Sequence, residues 1–131
     1  MTQRTLTLLP GSFSICRLAS SDPVPGWTAR AQSFLTISRT PTELSILCEE
    51  QLVPPGIFGD HGYRGFRVEG PLPLSAVGIM AAIAAPLASA SVPIFPIATY
   101  DHDYIFVPGH ALSGAIAALG QAGHRIVELS T

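Results

Sequence analysis

Apolar and polar positions fall into short runs along this chain, and glycine and proline punctuate them. Thr5 to Leu9 and Phe13 to Leu18 are β-type runs on either side of the turn dipeptide Pro10-Gly11, so they predict adjacent strands. A loop from Ser20 to Gly26 leads into a short predicted helix, Trp27 to Gln32. Phe34 to Ser38 and Glu43 to Cys48 flank Arg39-Thr40-Pro41-Thr42 and predict a hairpin closed by a proline-bearing turn. The Gly/Pro-rich stretch from Pro54 to Gly62 then reads as a connector, and a boundary between residues 1–60 and 61–131 is expected there.

The pattern restarts at Tyr63. Phe66 and Val68 alternate with Arg67 and Glu69, the mark of a half-buried strand that ends at Gly70-Pro71. Val77 to Ala90 predicts an Ala-rich helix with Ser75 as its N-cap and Pro86 late in its length. Val92 to Thr99 and Tyr104 to Val107 predict two strands around the polar corner Tyr100-Asp101-His102-Asp103. Pro108 opens a second helix, Gly109 to Gln121, ended by Gly123 before a last strand, His124 to Leu129. The order strand, helix, strand, strand, helix, strand is that of the ferredoxin-like split βαβ unit, an α+β fold with both helices on one face of an antiparallel sheet.

The first half carries a weaker echo of the second. Sliding the chain by sixty places sets Phe34 to Leu47 against Ile94 to Val107 without a gap, matching strand, polar corner, acid and strand, and placing Glu43 in register with Asp103. The N-terminal half is therefore expected to be a shortened copy of the C-terminal one.

Composition narrows the chemistry. The chain has 131 residues, 47% hydrophobic and only 12% charged, with a formal net charge of −2. That excludes disorder and leaves no basic footprint for nucleic acid. All seven basic residues are arginine, so Schiff-base chemistry and a P-loop lysine are excluded. No charged residue occurs from Gly70 to Tyr100, but five prolines break the stretch, and Val77 to Ala88 falls short of a membrane span. With no secretory signal pattern, Cys16 and Cys48 are expected to be reduced, buried thiols in a cytoplasmic protein.

Candidate catalytic groups are few. Asp101-His102-Asp103 gathers three potential metal ligands, but no further His or Cys stands at a recognised spacing, so neither a metal nor another cofactor is expected. Asp101 is expected to bond turn amides, and Asp103 to present its carboxylate to a cation. His61, His102, His110 and His124 lie in loops or at element ends without a partner pattern and are expected at the surface. No nucleophile elbow or Cys-x-x-Cys occurs, so the chain reads as a non-enzyme. Gly70 and Gly78 bracket a strand-to-helix turn whose amides are able to face an anion.

Phe66-Arg67-Val68-Glu69-Gly70-Pro71-Leu72, Val77-Gly78-Ile79, Ala85-Pro86-Leu87-Ala88 and Ala98-Thr99-Tyr100-Asp101-His102-Asp103-Tyr104-Ile105-Phe106-Val107 together resemble the ACT-like regulatory domain of small bacterial proteins related to cytosolic arginine sensors. Arg39 to Ile46 resembles the N-terminal half of that family. The resemblance implies tandem ACT-like βαββαβ units, the first abbreviated, that bind an amino acid or similar effector without catalysis. It places the effector carboxylate near Gly78, Ile79 and the helix start up to Ala82, and the ammonium at Asp103. Thr99, Tyr100 and Glu43 complete the expected binding set. Ala82 stands where arginine-binding relatives carry a serine, which sets arginine specificity in doubt. A homodimer acting through a small-molecule effector is expected. The alternative is an interaction protein whose effector cleft has degenerated.

Overall fold

A computed structural model of the chain describes residues 3–128. The chain divides into two compact units: Gly11–Tyr63, and the segment up to Pro10 together with everything from Arg64 onward. The expected boundary near residue 60 falls close to the second junction, but the opening strand belongs with the C-terminal unit.

The elements follow the predicted order closely. β1 is Thr5–Leu8, β2 Phe13–Leu18, β3 Leu35–Arg39 and β4 Leu44–Glu49, with short 3-10 turns at Gly26–Arg30 and Glu50–Leu52. β5 then runs over Gly59–Val68, α1 over Ile79–Ser89, β6 over Phe95–Ala98, β7 over Asp103–Pro108, α2 over Leu112–Gln121 and β8 over Arg125–Glu128. β5 starts four residues before Tyr63, inside the stretch read as a connector. Leu129, the last residue of the predicted final strand, lies outside the described residues.

Within the N-terminal unit the strand order is β3-β4-β2-β5, that of a split βαβ unit in which 3-10 turns replace both helices. Neighbouring strands are antiparallel. Cys16, Leu44, Ile46 and Cys48 form its core, with Trp27, Leu52 and Val53 packed against them. Glu49 accepts the amides of Gln32 (2.9 Å), Ser33 (3.1 Å) and Phe34 (3.3 Å), which fixes the entry to β3. Burial alone would raise the Glu49 pKa, but these bonds outweigh it and hold the carboxyl below its usual value.

The C-terminal unit orders its strands β6-β7-β5-β1-β8. It departs from the expected all-antiparallel sheet in one respect. β1 inserts between β5 and β8, antiparallel to the first (Leu6 opposite Val68) and parallel to the second (Leu6 opposite Ile126). Alternation puts Leu6, Leu8, Phe66, Val68, Ile105 and Val107 on one face, where they meet Ile79, Ile83 and Leu87 of α1 and Ala115 and Leu119 of α2. Both helices therefore serve one core. On the opposite face Gly65 is required by close approach, because a Cβ there would lie 2.5 Å from the Phe106 ring.

The two hairpins repeat each other in detail. In β3-β4 the Arg39–Leu44 pair closes the loop, and in β6-β7 the Ala98–Asp103 pair does so. Thr40 N–H donates to the Glu43 carbonyl at 2.9 Å, and Thr99 N–H to the His102 carbonyl at 2.8 Å. Each threonine hydroxyl also accepts the amide three residues on, Glu43 at 3.2 Å and His102 at 3.3 Å. The 3-10 turns Glu50–Leu52 and Gly109–Ala111 then follow at the same displacement. The true correspondence is one place shorter than the gapless sequence match, so Leu44 is the counterpart of Asp103, and Glu43 that of His102.

Candidate functional site

β5 ends at Val68, and the chain then loops from Gly70 to Gly78 before α1. Leu72 N–H donates to the Asp101 carbonyl at 2.7 Å, which ties this loop to the β6-β7 corner. A Cβ at Gly70 would lie 2.6 Å from the Leu72 nitrogen and 3.0 Å from the Asp101 oxygen, so only glycine allows the approach. Gly78 sits in the left-handed region (φ 83°) as the N-cap of α1, and no side chain caps the helix. Ser75 is therefore not the cap: the chain turns into the helix through a glycine, and the first-turn amides keep no side-chain acceptor.

Loop, helix start and corner enclose a cavity of about 290 Å³. Gly78, Ile79, Met80 and Ala81 line one wall, Ala98, Thr99, Tyr100, His102 and Asp103 the other, and Leu72 to Leu74 and Ala76 the rim. Five of the expected residues, Gly78, Ile79, Thr99, Tyr100 and Asp103, thus border one space. Asp103 is half-buried, and among the described residues no side-chain hydrogen bond or ion pair engages its carboxylate. A more open depression of about 580 Å³ adjoins the same loop, with Leu72, Pro73, Leu74 and Tyr100 shared between the two.

Two expected residues stand elsewhere. Glu43 lies in the N-terminal unit, where its carbonyl and amide close a corner. Ala82 does not border the cavity, and its carbonyl instead accepts a hydrogen bond from His124 Nε2 at 3.0 Å. The reason is in the sequence. In an α-helix the carbonyl of residue 82 bonds the N–H of residue 86, which is Pro86 and has none. His124 supplies the missing donor, while its Nδ1 accepts the Arg4 N–H at 3.1 Å. This histidine is 5% exposed, against the surface position expected for it.

His102 was missed as a lining residue, whereas Met80 and Ala81 fall within the helix start expected there. His102 is half-buried and meets Tyr104 edge-on, with ring centroids 6.4 Å apart. The turn contact expected of Asp101 is made by the Thr99 hydroxyl, since Asp101 is exposed and contributes only its carbonyl to the loop. Behind the corner, Glu69 accepts from the Thr7 hydroxyl and pairs with Arg67 at 2.9 Å. Burial would push the Glu69 carboxyl up, but the Thr7 and Arg67 bonds, with the Arg67 and His102 charges, hold it below its usual value. In the N-terminal unit, burial pushes the Cys48 thiol up to about 11, helped by Cys16 and Glu49, and raises Cys16 as well. Both are free and buried.

A split βαβ unit with a cavity at its strand-to-helix turn belongs to the class of ferredoxin-like domains, and residues 59–121 match the family profile described as the ACT domain. A second family profile, for an N-terminal domain, matches residues 11–56. The chain is similar to a protein of Agobacterium tumefaciens solved by X-ray crystallography, with 30% identity, TM-score 0.93, and coverage of 100% of this chain and 97% of that one. A protein of unknown function from Vibrio cholerae, described as a possible transport protein, shares the fold at 24% identity and TM-score 0.73, covering 92% and 90% of the two chains. The ligand-free regulatory subunit of aspartate kinase from Thermus thermophilus shares it at 14% identity and TM-score 0.60, covering 88% and 94%. No curated protein matches. The chain is an ACT-like domain protein, with its ACT domain over residues 59–121 and ferredoxin-like units in tandem.

Proposed function

We propose that this protein is a non-catalytic sensor that binds a free α-amino acid in the cavity between the start of α1 and the β6-β7 corner. One observation carries the reading: uncapped first-turn amides and an unengaged carboxylate border a single space of about 290 Å³. The amides of Ile79, Met80 and Ala81, at the positive end of the helix dipole, suit a carboxylate. Asp103 suits the ammonium group, and a charge-assisted contact of this kind contributes about 1.5–3 kcal/mol. Thr99 acts by holding the corner, and Tyr100 by standing at the mouth of the cavity.

The same proposal places the protein in the cytoplasm as a homodimer. Two buried thiols with raised pKa are those of inert, reduced cysteines, which suits a reducing compartment. Among the described residues no helix is long and apolar enough to cross a membrane.

A thermal-shift screen against the twenty amino acids tests the reading. A ligand at about 100 times its Kd adds roughly 2.7 kcal/mol, enough to raise Tm by several degrees. Asp103→Asn keeps the shape, removes the charge, and is expected to weaken binding about 10- to 100-fold. A screen in which no amino acid moves Tm, or a shift that Asp103→Asn leaves intact, refutes it.

A further inference from the structure

We infer that the effector is a neutral, apolar α-amino acid of about leucine's size, an inference that rests on the amino-acid reading above and narrows it. The first argument is charge matching. The cavity offers one anionic group, Asp103, and one patch of helix-start amides. A zwitterion uses both at its backbone end. A second cation on the ligand would meet no second carboxylate in the lining, and a second anion would meet only the half-buried His102 ring, which packs edge-on against Tyr104. The nearby Arg67 and Glu69 are already engaged with each other through Nε at 3.0 Å and a second guanidinium nitrogen at 2.9 Å.

The second argument is what the remaining wall is made of. Past Asp103, His102 and the hydroxyl-bearing Thr99 and Tyr100, the side chains in the lining are apolar, with Leu72, Leu74, Ile79 and Met80 in the loop and helix. The volume of about 290 Å³ is the share of about ten waters in the liquid, enough to admit leucine.

The mouth of the cavity carries exposed apolar groups. Leu74 is 71% exposed and Tyr100 76% exposed, although both border the cavity, and Val77 beside them is 94% exposed. Large apolar side chains left in water next to a cavity gain by closing on an apolar ligand, and Leu74 and Val77 have nothing to offer a charged one.

Titration calorimetry on the full chain decides the matter, with leucine, isoleucine, methionine, valine, alanine, arginine, lysine and glutamate as probes. Each buried methylene is worth about fourfold in affinity, so leucine is expected to bind about 60-fold more tightly than alanine, and the three charged amino acids more weakly than alanine. Leu74→Glu changes an exposed side chain and so leaves the fold intact. It is expected to weaken leucine at least tenfold and to improve arginine. If arginine, lysine or glutamate binds as tightly as leucine to the unaltered protein, the apolar assignment is overturned while the amino-acid site stands. If none of the eight binds, the apolar assignment is overturned, and the amino-acid reading falls with it only if the screen of all twenty is also flat.

Discussion

Replacing His124 with alanine probes the one place where a proline has been built into a helix with a side chain to compensate for it. The ring is 5% exposed, accepts the Arg4 N–H at 3.1 Å and donates to the Ala82 carbonyl at 3.0 Å. Each of these bonds contributes about 1 kcal/mol, and leaving the carbonyl stranded adds a desolvation cost of about 1–3 kcal/mol. His124→Ala should therefore destabilise by about 3 kcal/mol and lower Tm by roughly 10 °C, read by thermal or urea unfolding. The sharper test is a double-mutant cycle with Pro86→Ala. Alanine at 86 restores the helical N–H that the Ala82 carbonyl lacks, so in that background removing His124 no longer strands the acceptor. The cost of His124→Ala should fall by about 1 kcal/mol or more. Additivity of the two substitutions within about 0.5 kcal/mol would refute the compensation argument, whatever the single mutant does.

Three further outcomes follow from the same geometry. Glu49→Gln removes the charge that accepts three amides, and should cost about 1–2 kcal/mol near neutral pH, read from the urea midpoint. Because the folded-state pKa of Glu49 lies below its ordinary value of 4.5, its stabilisation is complete above that value and is lost as pH falls through the lowered one. Glu49→Gln should accordingly shrink the stability difference between pH 6 and pH 3, and an unchanged difference would contradict the assignment. Thr99→Val and Thr40→Val remove equivalent corner hydroxyls and should each cost about 1 kcal/mol of stability. Only Thr99→Val should also weaken the amino acid in a thermal-shift titration, since Thr99 alone lies at the cavity.

What could be read from the residue pattern was whatever is encoded locally. β2 occupies Phe13–Leu18, the run its apolar residues mark out, and the helices and hairpins lie within a few residues of their expected bounds. β5 was cut short because Gly59 to Gly62 carries no apolar face of its own and becomes strand by pairing, Asp60 with Ile15 and Gly59 with Cys16. The place of β1 is set entirely by partners about sixty and more residues away, Val68 and Ile126, which no local pattern announces. His124 was misplaced for a similar reason. Its partner is an acceptor created by a missing N–H in another element, so the informative residue was Pro86, read for its place in the helix and not for the carbonyl it frees. At the site, the strand-to-helix turn and Asp103 were legible because glycine in a tight turn and a carboxylate on an apolar strand are both locally anomalous.

The one-place error in matching the hairpins had the largest consequence for function. Both displacements superpose apolar residues on apolar residues, since each β4 or β7 run buries three consecutive positions, Ile46 to Cys48 and Ile105 to Val107. Hydrophobicity alone therefore leaves them degenerate. The corner threonines remove the degeneracy, because Thr40 and Thr99 each bridge to the residue three places on. On that register the position of Asp103 is filled in the first hairpin by Leu44, which is fully buried in the core of its unit. The segment preceding the first hairpin is a five-residue 3-10 turn, Gly26–Arg30, where the second unit has the eleven-residue α1. The N-terminal unit thus repeats the corner but lacks both chemical halves of the proposed site, the acid for an ammonium and the helix start for a carboxylate. Glu43 is left as a corner residue, and the amino-acid reading reduces to one site per chain, in the C-terminal unit.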